Sequence, residues 1–164
     1  MTAAAPAPSR TATRPDWLTV LRRYFLFSLI GHLLWEIAHI SLYTIWIEGS
    51  VGEIAFAILH CTGGDLFIAF SSLLLALFAL GSGDWPRQNR APVLLAAVVM
   101  GVGYTIFSEW LNITVREAWA YRDIMPVIPV IDAGLTPFLQ WLVVPLAAYL
   151  GATSRLSWRG ITRG

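Results

Sequence analysis

The sequence predicts an all-α integral membrane protein, a four-helix bundle with both termini on the cytoplasmic side. Three observations predict it: an apolar composition, four long apolar stretches, and a lopsided placement of arginine. Of 164 residues, 57% are hydrophobic and 13% are charged, and the mean hydropathy is +0.65. Soluble domains carry about 25% charged residues, and a soluble chain of this size has no core deep enough to hide such long apolar runs.

A helix needs about 20 mostly apolar residues to cross the hydrocarbon. Four stretches meet that length: 24–47, 54–80, 93–113 and 135–152, the last by borrowing flanking residues. Turn chemistry separates them: Glu48-Gly49-Ser50, then Gly81-Ser82-Gly83-Asp84-Trp85-Pro86, then a loop over 115–133 that contains Pro126 and Pro129. The stretches are continuously apolar, without the period-two alternation of barrel strands. The transmembrane domain is bounded at 17–156. Residues 1–16, rich in Ala, Pro and Thr, read as a disordered cytoplasmic tail, and 157–164 as a second short tail.

Orientation follows from arginine, the sole basic residue besides histidine. Arg10, Arg14, Arg22, Arg23, Arg87, Arg90, Arg155, Arg159 and Arg163 fall on one side of a four-span arrangement; Arg116 and Arg122 fall on the other. Nine of eleven on one side makes that side cytoplasmic. The bacterial inner membrane is the expected location. A net charge of +1, without a basic stripe, argues against nucleic-acid binding. The single Cys61 permits no intrachain disulfide.

Within this apolar frame the polar residues at depth carry the functional signal. All three histidines, His32, His39 and His60, fall inside predicted spans, as do Glu36, Asp65 and Glu109. Each ionisable group costs about 2.5–3.5 kcal/mol on insertion scales, so they must face one another, water or a ligand. At 100° per residue, Ser28, His32, Glu36, His39 and Tyr43 fall within about 80° of arc on the first span. Gly101, Thr105, Ser108, Glu109 and Asn112 share about 100° on the third. Gln140 lies about two turns into the fourth. By helix rise the layer sits about 10–18 Å below the outer surface. His60 and Asp65 stand about 140° apart on an ideal helix; Gly63-Gly64 between them suggests either a distorted helix or a closely packed neighbour.

Three chemistries suit such a layer. The first is a transition metal: Glu36-x2-His39 is an E-x-x-H pair, and Glu36, His39, His60 and Asp65 form a ligand set suited to zinc, iron or copper. Haem held by His39 and His60 is a further, less supported option. The second is acid–base catalysis on a small lipophilic molecule, with His32, Glu36 and Glu109 as proton-transfer residues and Trp35, Trp141, Gln140, Asn112 and Tyr43 lining the pocket. The third is a structural layer in a non-catalytic subunit, with a membrane-complex partner or a second copy as its companion. The loop over 115–133 is long enough for a lid, and its two X-Pro steps suggest that it folds back over the bundle mouth.

Two resemblances bear on these alternatives. HLLWE (His32–Glu36) and WLVVP (Trp141–Pro145) resemble the first-helix H-x3-E and last-helix W-x3-P of the EXPERA superfamily of four-helix membrane proteins, which includes sterol isomerases. That likeness implies proton transfer at His32 and Glu36, with Trp141 lining the pocket. The chain departs from it at Ser71 and Ser72, where the family places a carboxylate, and at Gln140, the nearest polar residue to the family's asparagine. A broader likeness runs through His32–Trp46, Leu59–Asp65, Ser108–Asn112, Trp119–Pro126 and Gly134–Trp141. Over these segments the chain resembles a widespread, uncharacterised family of small bacterial four-helix inner-membrane proteins, and the likeness implies an architecture without an activity.

Overall fold

The computed structural model describes residues 17–154; the tails 1–16 and 157–164, and the last two residues of the expected domain, lie outside them. The chain forms α1 (Trp17–His39), a 3₁₀ turn (Ile40–Leu42), α2 (Ile45–Glu48), α3 (Val51–Leu80), α4 (Arg90–Glu109), a π-helical extension (Trp110–Val115), two-residue strands β1 (Val127–Ile128) and β2 (Ala133–Gly134), and α5 (Leu135–Thr153). The segments built on α1, α3, α4 and α5 are long and apolar enough to cross a membrane.

Each long helix packs against two others: α1 against α5 and α3, and α4 against α3 and α5. The four therefore close a square. Contacts run antiparallel along it, since Tyr24 reaches Ala69 while His32 reaches Asp65. The two ends of the square differ in chemistry. At the end bearing the termini the core is apolar, with Leu73, Ala76, Val93, Ala97, Ala148 and Ala152 around Tyr24, Trp85 and Tyr149. Trp85 Nε1 donates to the Tyr149 hydroxyl at 2.8 Å, which donates to the Arg90 carbonyl at 3.0 Å, so the polar tips of these aromatics are satisfied. At the other end the interior is polar.

Local signals set the helix limits. Ser50 caps α3 and Glu53 returns the bond, a full capping box, which starts α3 three residues before the expected Ile54. Asn89, in the left-handed region at φ 55°, donates to the Leu80 carbonyl at 2.8 Å and turns the chain into α4. The first helix departs furthest from expectation. It begins at Trp17 and ends at His39, because Thr44 N bonds the Ala120 carbonyl at 3.0 Å and the Leu42 carbonyl accepts from Arg122 N at 2.9 Å. Tertiary hydrogen bonds thus claim the backbone of 42–44, and the apolar residues up to Ile47 cap the bundle end instead of extending the span. Gly63-Gly64 does neither of the things expected of it. α3 runs unbroken through both residues, and both are exposed with no neighbour near the place a Cβ would occupy.

The 116–134 loop folds back over the polar end, as its prolines suggest. Tyr121 pairs with Tyr43 in an isolated antiparallel bridge, the Arg122 guanidinium donates to the Ser41 carbonyl at 2.5 Å, and Met125 and Ala133 are buried. β1 and β2 form a small ribbon that leads straight into α5.

Candidate functional site

The buried face of α1 carries Tyr24, Ser28, His32, Glu36 and His39. Spacings of four, four, four and three keep these side chains on one stripe of the helix. The stripe meets α3 through Asp65 and α5 through Gln140, and these two neighbours give it its chemistry.

Gln140 is the hub. Its amide nitrogen lies 2.8 Å from Asp65 Oδ2, 3.0 Å from His32 Nδ1 and 3.1 Å from Glu36 Oε1. A primary amide has two hydrogens, and here it faces three acceptors. One acceptor is left over, and the arrangement closes when that group brings a proton of its own. His32 Nδ1 lies 3.4 Å from Asp65 Oδ2, so a hydrogen on Nδ1 closes it. The opposite amide orientation would present a carbonyl oxygen to the same three groups and require still more protons. Gln140 is 2% and His32 0% exposed, while the Asp65 side chain is 14% exposed, so solvent can reach the set only at Asp65.

A second group adjoins the first through Glu36. His39 Nε2 lies 3.2 Å from Glu36 Oε2, and His39 Nδ1 lies 3.3 Å from Thr136 Oγ1. The Tyr43 ring packs between the His39 ring at 5.4 Å and the Tyr121 ring at 5.5 Å. The Tyr121 hydroxyl donates to the Glu109 carboxylate and accepts from Gly134 N at 2.7 Å. Burial, then the neighbouring Glu109 carboxylate, raise the Tyr121 phenol well above its ordinary value, so it stays protonated and serves as a donor.

Trp141 forms a wall of the first group. Its ring centroid lies 5.2 Å from that of His32, and its indole covers Gly101 so closely that a Cβ there would run into the ring. A glycine at 101 is what lets α4 and the indole meet. Cys61 is half-buried on α3, within electrostatic range of Glu36, Asp65 and Glu109.

Of the residues expected at the site, His32, Glu36, His39, Asp65, Glu109, Gln140, Trp141 and Tyr43 come together. Three do not join them. Asn112 is buried, but its amide bonds Ser108 O at 2.9 Å and Ser108 Oγ at 3.3 Å, within its own helical segment. Trp35 faces a different feature, an apolar groove of about 540 Å³ between α1 and α5 lined also by Gly31, Leu34, Val144 and Gly151. His60 is exposed on the outside of α3, stacked on Phe56 at 5.5 Å. The 140° offset from Asp65 decides that: with Asp65 turned to the core, His60 must turn away. The ligand set Glu36, His39, His60 and Asp65 is therefore not assembled, nor is a His39–His60 pair for haem. Among the described residues no three His, Cys, Asp or Glu side chains are arranged to hold a metal ion.

Tyr121 and Thr136 are site residues that sequence periodicity passes over. Tyr121 sits in a loop, where no helical spacing marks a facing residue, and Thr136 lies in the first turn of α5. The sole signal for Tyr121 is its place in a loop expected to fold inward. Comparison with known proteins adds nothing to this geometry: no family model, curated protein or solved structure matches the chain.

Proposed function

We propose that this protein spans the bacterial inner membrane four times and transfers protons to and from a small lipophilic ligand. The polar end of the bundle faces outward and both termini face the cytoplasm. The single observation that carries the chemistry is the Gln140 hub, two amide hydrogens among an imidazole nitrogen and two carboxylates, because it assigns a hydrogen to His32 Nδ1. That hydrogen faces Asp65, with Glu36 beside it on the same amide. Glu36 joins the hub to His39, and Glu109 is held nearby by Tyr121 of the covering loop, so a ligand seated there meets both a proton donor and an acceptor.

The membrane reading rests on the four apolar helices and on their wide exposed belt, including Leu34, Phe67, Phe78 and Leu95. The orientation rests on arginine: Arg22, Arg23, Arg87 and Arg90 lie toward the apolar end, and Arg116 and Arg122 at the loop end. Since the expected metal ligands diverge at His60, proton transfer without a metal is the better supported chemistry.

Membranes containing the protein, incubated in D₂O, test this reading without a known substrate. Mass spectrometry of the extracted lipids should find deuterium at a carbon position of one species, and a Glu36→Gln variant should not produce it. Stoichiometric metal in the purified protein, lost in His39→Ala, would favour the metal alternative. A second reading, a non-catalytic subunit, has one observation in its favour. The α1–α5 groove is lined by apolar residues, among them Leu34, Val143, Val144 and Ala147, a surface on which a partner helix can pack. A stoichiometric partner released by Gly151→Leu, with no deuterium incorporated anywhere, would favour it.

A further inference from the structure

His32 presents Nδ1 to Gln140 and Asp65, which leaves Nε2 on the far side of the ring, away from the hub. That nitrogen is buried and has no hydrogen-bond partner; Ser28 Oγ, near the Tyr24 hydroxyl, has none within 3.5 Å either. The two residues are among the most buried in the protein, His32 at 0% and Ser28 at 1% exposed. Buried polar atoms without partners are few in native proteins, and each calls for an explanation. Here two of them lie four residues apart on the same stripe of α1.

Their spacing has a physical meaning. Residues four apart on a helix have Cβ atoms about 5–6 Å apart, and helical side chains lean toward the N-terminus, which brings the His32 ring toward Ser28. One oxygen bonded to both holds its two partners about 4.5–5 Å apart, since the two hydrogen bonds meet near the tetrahedral angle. The hub also sets the polarity. With its hydrogen on Nδ1, His32 leaves Nε2 as an acceptor, so the bridging atom must donate to it while accepting from Ser28. A hydroxyl does both; a carbonyl, an ether or an anion has no hydrogen to give.

We infer that Ser28 and His32 form a subsite for one hydroxyl group, supplied either by a bound water or by the head of a lipophilic alcohol. This deepens the proton-transfer reading and rests on it for the position of the His32 proton. It places the oxygen one ring away from Asp65, so His32 can pass a proton between that hydroxyl and the hub.

The test uses the full-length protein in micelles with ¹⁵N-labelled histidine, and His32 is assigned by its loss in His32→Gln. The expected result is a protonated Nδ1 and a hydrogen-bonded acceptor Nε2, with the Nε2 resonance moving toward the free-acceptor position in Ser28→Ala and staying in Ser28→Thr. Added 1-dodecanol, with dodecane as the control of equal length, separates the sources. A shift with the alcohol alone assigns the subsite to a lipophilic hydroxyl, and a bonded Nε2 indifferent to both assigns it to water. A free-acceptor Nε2 in the wild type, with and without dodecanol, overturns the subsite, as does a proton on Nε2. The wild-type spectra decide this even where Ser28→Ala does not fold. A hydrogen-bonded Nδ1–H signal of His32, displaced in Asp65→Asn or Gln140→Leu whatever the state of Nε2, reports separately on the hub, so the subsite can fail while the hub stands.

Discussion

Replacing Gln140 with leucine removes the hub and keeps a side chain of roughly similar volume. In the native protein one amide nitrogen contacts His32, Glu36 and Asp65 at 2.8–3.1 Å, so the substitution removes both amide hydrogens and leaves two carboxylates without that donor. Interhelical hydrogen bonds in membranes average about 0.6 kcal/mol, so two of them contribute about 1 kcal/mol. Acceptors that stay charged and unpaired would raise the loss toward about 3–5 kcal/mol. The protein has one means of limiting that cost, which is to take up a further proton among Asp65, Glu36 and His32. Gln140→Leu should therefore lower stability by about 1–4 kcal/mol and produce an infrared band of protonated carboxyl. Unfolding in mixed micelles, followed by tryptophan fluorescence, measures the first; difference infrared spectra measure the second. A loss below about 0.5 kcal/mol, the range of an ordinary surface substitution, with an unchanged carboxyl band, would refute the hub as the organising element of the site.

Further predictions concern the walls of the site. Gly101→Ala places a methyl against the Trp141 indole; a cost of about 1–3 kcal/mol is expected from overpacking, together with a displaced His32 resonance, since the indole packs on that ring. Tyr121→Phe deletes the donor to Glu109 and the acceptor for Gly134 N, so the loop should exchange its amide hydrogens faster while the four helices stay protected. The Tyr121 phenol is raised from 10.0 by folding, so its contribution is complete below pH 10 and disappears as the pH rises further; loop protection should be flat through neutral pH and fall only in strong alkali. His60→Ala should change stability by less than about 0.5 kcal/mol, because His60 is exposed, whereas His39→Ala should disturb Glu36.

The sequence was most legible where helical periodicity governs. The stripe Ser28–His32–Glu36–His39 is readable because a residue's angle on a helix follows from its number, and burial then reveals which side is inward. Depth counting likewise brought Asp65 and Gln140 to one level. Legibility stops where rotation of one helix against another decides. His60 and Asp65 lie on the same helix, five residues and about 7.5 Å of rise apart, and only the packing of α3 chose Asp65. Trp35, one residue before Glu36, turned outward for the same reason, its 100° step carrying it off the polar stripe. Tyr121 was beyond reach because its position depends on backbone bonds between 42–44 and 120–122, which no local pattern encodes.

The length of α3 has a consequence for the setting in which such a site works. Its 30 residues span about 45 Å, against about 28 Å for the 19 residues of α5. In a bilayer with about 30 Å of hydrocarbon, α5 matches the slab upright, while α3 must lean or protrude. A thinner bilayer increases that lean, a thicker one relieves it, and the cost per ångström is small. Asp65 rides on α3 near its middle and Gln140 rides on α5. In such a setting membrane thickness acts on the distance between Asp65 and the Gln140 amide that bonds it, and under the proposed function the acyl-chain length of the surrounding lipid becomes a means of tuning the site from outside the protein.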